Sequence, residues 1–170
     1  KTAKVDQAYK CSVRKPWWRV PLVKTADLFL TYMNADTPRI TTNEAGVLHL
    51  NSIHGVYLHE KHRELGRRLL PLAALTSMTL VGAETVGRAY GGGMLKIEPR
   101  EADRLPVPRP EVVEAAKDKL VALRPQLASQ LRYGRLVEAA KLVDDVLLIG
   151  ELGMARSDVK ALRDTYAELS

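Results

Sequence analysis

The sequence predicts an α+β fold: a small mixed β-sheet region with packed helices, followed by a helical C-terminal subdomain. Three observations carry this prediction. Between residues 11 and 57, short runs rich in β-branched and aromatic residues alternate with turn formers. From about His59 the composition shifts to Leu, Ala, Met and charged residues, which favour helix. Beyond Pro110 the apolar residues recur at helical spacing to the end of the chain. The 170 residues divide accordingly into a strand-bearing unit at 1–109 and a helical unit at 110–170.

In chain order, the expected strands are 18–20, 28–33, 39–42, 47–50 and 53–58, the last two being separate or one bent strand. Pro16, Pro21, Asn34, Asp36, Pro38, Asn43 and Gly46 punctuate them. Helices follow at 63–70 and 72–86, with Pro71 placed in the first turn of the second, where its missing N–H costs nothing. That second helix is apolar on most sides and is expected to be buried. Gly91, Gly92 and Gly93 must turn, 94–98 reads as a short strand, and 105–110 is a proline-rich connector. Pro110 suits the first position of a helix that Pro125 ends. Another helix runs from about Gln126, broken near Gly134, to Ile149, and Gly150 and Gly153 stop it. Ser157 caps a last helix at 158–169.

Composition narrows the function. Apolar residues are 46% and charged residues 27%, which excludes global disorder. No apolar run approaches the ~18 residues that span a bilayer, and the first residues have no signal-peptide core. The expectation is a cytoplasmic chain without membrane contact. A single cysteine, Cys11, excludes an internal disulfide and a cysteine-rich zinc site. The formal net charge of +6 is unevenly placed. Residues 1–110 hold 17 Lys/Arg against 10 Asp/Glu, a net +7, while residues 111–170 hold 9 against 10, a net −1. Such asymmetry points to an anionic partner for the first part and ordinary packing for the second.

Catalytic chemistry is not written in these residues. His49, His54, His59 and His62 lack the i, i+4 pairing of a zinc-protease helix, and no third ligand accompanies them. There is no Walker loop, no nucleophile-elbow serine and no dinucleotide fingerprint. The reading is a chain that is not an enzyme by itself and holds neither metal nor cofactor.

Binding chemistry is present in three places. Arg14, Lys15, Trp17, Trp18 and Arg19 set two indoles among cations, able to neutralise phosphates and stack on bases or sugars; one tryptophan is expected in the core, its neighbour outside. Lys24 adds a further phosphate contact. Arg88 and Lys96 flank Gly91, Gly92 and Gly93, whose backbone can approach a phosphate closely. Arg39 and Asn43, with Thr41 and Thr42, are polar groups able to read base edges.

These pieces, in this order, resemble the C-terminal target-recognition region of adenine-specific DNA methyltransferases of restriction–modification systems. The resembling segments are Lys15-Pro-Trp-Trp-Arg-Val-Pro21, Asp27-Leu-Phe-Leu-Thr-Tyr-Met33, Asn43-Glu-Ala-Gly46 and His54-Gly-Val-Tyr57, then Tyr90-Gly-Gly-Gly-Met-Leu-Lys-Ile-Glu-Pro99 and Leu105-Pro-Val-Pro108. The tail, with Leu142-Val-Asp-Asp-Val-Leu-Leu148, is similar to the helical ends of such enzymes. The family's methyl-donor motif and its Pro-Pro-Tyr catalytic motif are missing, since the chain has no Pro-Pro pair. The resemblance therefore implies a recognition domain separated from its catalytic domain, an expectation that the missing initiator Met also fits. It implies double-stranded DNA and that catalytic domain as partners, with S-adenosylmethionine used by the full enzyme. The alternative is a protein-interaction or homodimerisation module acting through the C-terminal helices.

Overall fold

The computed structural model of the chain describes residues 4–19 and 22–170. After a 3-10 turn at Val5–Gln7 and a short helix α1 (Tyr9–Ser12), the strands β1 (Leu28–Thr31), β2 (Met33–Asn34), β3 (Ile40–Thr42) and β4 (Ile53–Val56) follow. Helices α2 (Arg63–Ala73) and α3 (Ser77–Val86) lead into the hairpin β5 (Arg88–Tyr90) and β6 (Met94–Lys96). The remainder is helical: α4 (Pro99–Ala102), α5 (Pro110–Ala115), α6 (Lys117–Arg132), α7 (Leu136–Asp144), a π-helical stretch Asp145–Glu151, and α8 (Arg156–Leu169). The class is α+β, as predicted.

The strands form two three-stranded sheets, ordered β3-β1-β4 and β2-β6-β5, antiparallel throughout. One run of chain feeds both. It bends at Tyr32, whose carbonyl accepts from Ile97 N at 3.0 Å, so β1 serves the first sheet and β2 the second. Alternation sets the faces: Leu28 and Leu30 are buried, pair with Val56 and His54, and look into the core. Across the other face lies His49, its ring centroid 5.7 Å from that of Phe29. Gly55 is required there, because a Cβ would come within 2.3 Å of the His49 ring.

Helix α3 joins two hydrophobic cores. Its Leu80 packs among Leu69, Ala73, Val113, Leu120, Ala140, Val143 and Tyr166, while its Ala83 packs with Leu30, Leu95 and Ile97 beneath the sheets. The larger core draws on both sides of residue 110, so the strand-bearing and helical parts of the sequence share one interior. At the N-terminus of α3, Thr76 caps Thr79 N, and the fully buried Asp144 of α7 accepts from Ser77 N at 2.8 Å and from the Ser77 hydroxyl. A carboxylate there satisfies a donor that the first turn leaves free and faces the positive end of the helix. Arg163 of α8 completes the cluster at 2.9 Å. Burial holds the Asp144 carboxyl above its ordinary pKa, against the opposing pull of Ser77 and Arg163.

Several local expectations are corrected. The helix does not start at Pro71; Pro71 lies inside α2, and the break falls at residues 74–76. Pro71 has no N–H for the Arg67 carbonyl, and the Thr42 hydroxyl takes that acceptor at 2.6 Å. Likewise Pro125 does not end its helix but lies within α6; Val121, whose carbonyl it leaves free, is exposed to water. The segment 47–50 is not a strand: it loops back over the sheet to deliver His49. The run 18–20 is no strand either at Trp18 and Arg19, and its third residue lies outside the described residues, as does Pro21. Gly150 sits inside the π-helical stretch, where Leu152 N reaches back five residues to Leu147 O, and Gly153, at φ 67°, makes the stop. The last helix begins at Arg156, with Ala155 rather than Ser157 at the N-cap position and no side-chain cap. Pro110 does open a helix at its first position, and Gly134, at φ 69°, does separate α6 from α7.

Asp144→Ala leaves Arg163 buried against α3 without its counter-charge and strips the first turn of that helix. Urea unfolding of this variant is expected to show a loss of about 3 kcal/mol, whereas removing the exposed partner in the Lys160–Asp164 pair is expected to cost under about 1 kcal/mol.

Candidate nucleic-acid interface

The hairpin β5–β6 is an exposed part of the basic region. Every residue of β5 is exposed, and so are the three glycines of the turn. Gly92 and Gly93 have φ of 85° and 77°, the left-handed region that side chains resist. Among the described residues no atom lies within 4 Å of a Cβ built on any of the three, so the glycine positions face open space. Arg88 pairs with Lys96 and Tyr90 with Met94, placing these four side chains on one face, while Ala89 pairs with buried Leu95 on the other.

A short helix supplies carboxylates to the cations of this face. In α4, the Glu101 side chain accepts from Glu98 N at 2.7 Å in a reciprocal capping box, and Glu101 also binds Arg88 Nε. The Glu98 backbone N–H, foremost, holds the Glu101 carboxyl below the usual carboxylate range, with Arg88 adding to it. Lys96 binds Glu98 at 2.7 Å and lies over two rings, 5.2 Å from the Tyr32 centroid and 5.5 Å from that of Tyr90. Its hydrogen bond to Glu98 raises the Lys96 pKa and lowers that of Glu98. The ammonium therefore keeps its charge across the whole neutral range.

From this hairpin a run of rings and cations extends along the edge strand β4. Tyr32 meets His54 edge-on at 5.3 Å, and His54 Nε2 lies 2.6 Å from the Ile97 carbonyl. A groove of about 980 Å³ lies along β4, with Tyr32, His54, Tyr57, Glu98 and Arg14 among the residues that line it. Beside Tyr57, Lys24 Nζ stands 6.0 Å over the ring, and the Tyr57 hydroxyl donates to the Lys24 carbonyl at 2.8 Å. Seven residues expected to meet an anion thus fall in two neighbouring groups: Arg14 and Lys24 at the groove, and Arg88, Lys96 and the Gly91-Gly92-Gly93 turn at the hairpin.

Other expected residues stand elsewhere. Lys15, Trp17, Trp18 and Arg19 lie in turns after α1, and all are exposed. The expectation of one buried tryptophan is wrong: Trp17 is 43% and Trp18 65% exposed, because nothing in the arm 4–19 packs into either core. Asn43 does not present its amide to a ligand. It is 3% exposed, donates to Ala26 O and Val47 O, accepts from Val47 N, and so builds the loop that carries His49. Arg39 pairs with Asp36 at 2.6 Å beside Pro71 and Leu131, away from the groove. Thr42 is taken up by the Arg67 carbonyl.

Sequence reasoning missed Tyr32, His54 and Tyr57 as site residues. Their signal was strand alternation: on β4, His54 falls in register with Leu30 on the same side of the sheet. It also missed the arginines of α2. Arg63 and Arg67 both reach Asp27 Oδ1, at 3.3 and 3.9 Å, and Arg67 donates further to the carbonyls of Asp27 and Asn43. Because Asp27 also accepts from Leu58 N, these residues clamp the end of the first sheet to α2. Among the described residues no group of His, Cys, Asp and Glu could hold a metal ion.

The chain is thus a two-sheet α+β body with a helical buttress and an exposed surface of cations and rings. The sequence model for the C-terminal domain of Type II methyltransferase M.Eco57I matches residues 1–148, and the chain belongs to that family. It is also 36% identical over 116 residues to the Type II methyltransferase M.XamI of Xanthomonas campestris pv. amaranthicola, a match covering 65% of this chain and 20% of that protein. The chain thus spans about a fifth of the length of this relative. No solved structure matches it. No single helix among the described residues is long and apolar enough to cross a membrane.

The hairpin tip offers a simple check of its geometry. Gly92→Ala and Gly93→Ala are each expected to lower the urea midpoint, equivalent to about 1 kcal/mol. Gly91→Ala, at a position without positive φ and with open space around it, is expected to leave it unchanged.

Proposed function

We propose that this chain is the target-recognition domain of an adenine-specific DNA methyltransferase, gripping duplex DNA and reading the target sequence while a catalytic domain outside these residues transfers the methyl group. The observation that carries the reading is the joined surface of groove and hairpin. It sets the exposed cations Lys24 and Arg88 and the exposed rings Tyr57 and Tyr90 on the part of the chain that holds the net +7. Lysine and arginine neutralise phosphates and release counterions, and the rings offer stacking faces. Arg14 lines the groove, and the exposed Lys15, Trp17, Trp18 and Arg19 follow it in the arm as further groups able to meet phosphates and bases. Membership in a family of Type II methyltransferase C-terminal domains supports a methyltransferase body as its neighbour, and the target adenine would be flipped out of the duplex toward that body.

S-adenosylmethionine, the methyl donor of the proposed full enzyme, does not fit the residues described. The glycine-rich turn joins two antiparallel strands, with no helix N-terminus behind it to receive a charged ligand. No step of methyl transfer is assigned to this chain.

A second reading, docking or dimerisation through the helical part, is favoured by one feature. Met78, Val107, Leu148, Leu152 and Met154 line an apolar cleft of about 260 Å³ between the connector and the π-helical stretch. Light scattering after size exclusion separates the readings. A salt-resistant dimer without DNA affinity would favour docking, and a monomer that binds duplex would favour recognition.

Fluorescence anisotropy with a labelled duplex tests the main proposal. Affinity is expected to fall ~10³-fold or more between about 50 and 200 mM salt if six or more phosphates are contacted. Lys15→Ala or Arg19→Ala is expected to reduce the salt slope by about one unit each, uniformly across sequences. Affinity insensitive to salt, or none at low salt, contradicts the proposal.

A further inference from the structure

We propose that Arg88 is a specificity-determining residue, a guanidinium fork set to read a guanine in the major groove, and that Glu101 is its positioning residue; this rests on the DNA-recognition reading above. Three observations lead to it. The first is how Arg88 is held. Glu101 takes only Nε, and among the described residues neither terminal nitrogen of Arg88 has a partner. The Arg88 side chain is 69% exposed while the Glu101 side chain is 11% exposed, so the anchor is buried and the fork faces outward.

The second is what fixes the anchor. Glu101 is bound to Glu98 N through the capping box of α4, and its carboxyl is held ionised by that bond. An arginine fixed at Nε loses little further freedom on binding and presents two parallel N–H groups. Two acceptors in one plane, such as guanine O6 and N7, match them. Lys96, the other cation of this face, is instead caught between two tyrosine rings and Glu98, and is mostly covered.

The third is the shape of the carrier. Two paired strands lie ~4.8 Å apart, and the major groove, ~12 Å wide, admits such a ribbon while the ~6 Å minor groove does not. The tip carries no side chain at Gly91, Gly92 or Gly93, and among the described residues a Cβ built on any of them would meet no atom within 4 Å. Arg88 and Tyr90 share the face that would look onto the groove floor.

Selection of bound sequences from a random duplex library by this chain, Arg88→Lys, Arg88→Ala and Glu101→Gln tests the inference. The unaltered chain is expected to select a site with an invariant guanine. Arg88→Lys, which keeps the charge but not the fork, is expected to lose about tenfold or more of the preference at that base pair alone. Glu101→Gln should relax the same position and no other. Replacing that guanine with 7-deazaguanine should weaken binding by the unaltered chain and not by Arg88→Ala. If Arg88→Ala selects the same sequence with uniformly weaker binding, Arg88 is a phosphate contact and the inference is overturned while the DNA reading stands. Duplex binding without any selected base overturns it too. Absence of duplex binding overturns both.

Discussion

The N-terminus of α3 is the point on which the rest of the fold depends. This helix belongs to both cores, and Asp144 fixes its start by accepting from the Ser77 backbone and hydroxyl while Arg163 supplies the balancing charge. A buried carboxylate between a helix N-terminus and an arginine is stable only when all its acceptor sites are used. That condition sets α7 and α8 against α3. The C-terminus of α3 then runs directly into the β5–β6 hairpin through Gly87, where a Cβ would collide with Leu95 and Ile97. The helical part, near-neutral in charge, thereby supports the hairpin that carries Arg88 and Lys96.

The connector 105–108 adds to this constraint. Thr79 donates to the Pro106 carbonyl, and a Cβ on Gly82 would stand 2.1 Å from Pro106 Cγ, so the proline-rich chain lies directly on α3. What the sequence presents as a loose joint between two units is packed as part of the interior. The hairpin, α4 and the connector then follow one another along α3 as a continuous arrangement.

Much of this was legible from residue patterns, and the failures have physical causes. Helix formers, Pro110 at a first turn and Gly134 at a left-handed turn act locally, and local signals were read correctly. Pro71 misled because its relief comes from Thr42, far away in sequence, whose hydroxyl takes the carbonyl that proline leaves free. Asn43 read as a base contact because a polar residue after a strand has two uses, and only the fold shows its amide tied to Ala26 and Val47. The tryptophan pair read as half-buried because a large apolar ring usually is; here the arm that bears it contributes to neither core. β5 escaped notice because three residues, Arg88, Ala89 and Tyr90, are too few to show a period. The positions of Arg88 and Lys96 were visible in sequence, but the carboxylates that leave one free and clamp the other were not.

The central claim is that one surface, from Lys24 and Tyr57 along β4 to the hairpin, meets DNA while the helical part supports it. Titrating the isotopically labelled chain with a short duplex and following its backbone amide resonances tests this most directly. The account predicts that shifts concentrate at residues 22–26, 53–57 and 88–96, and in the arm at 10–19, with α6, α7 and α8 unchanged apart from relay through α3. Shifts confined to α6–α8 or to the apolar cleft beside Leu152, with the hairpin and groove silent, would contradict it.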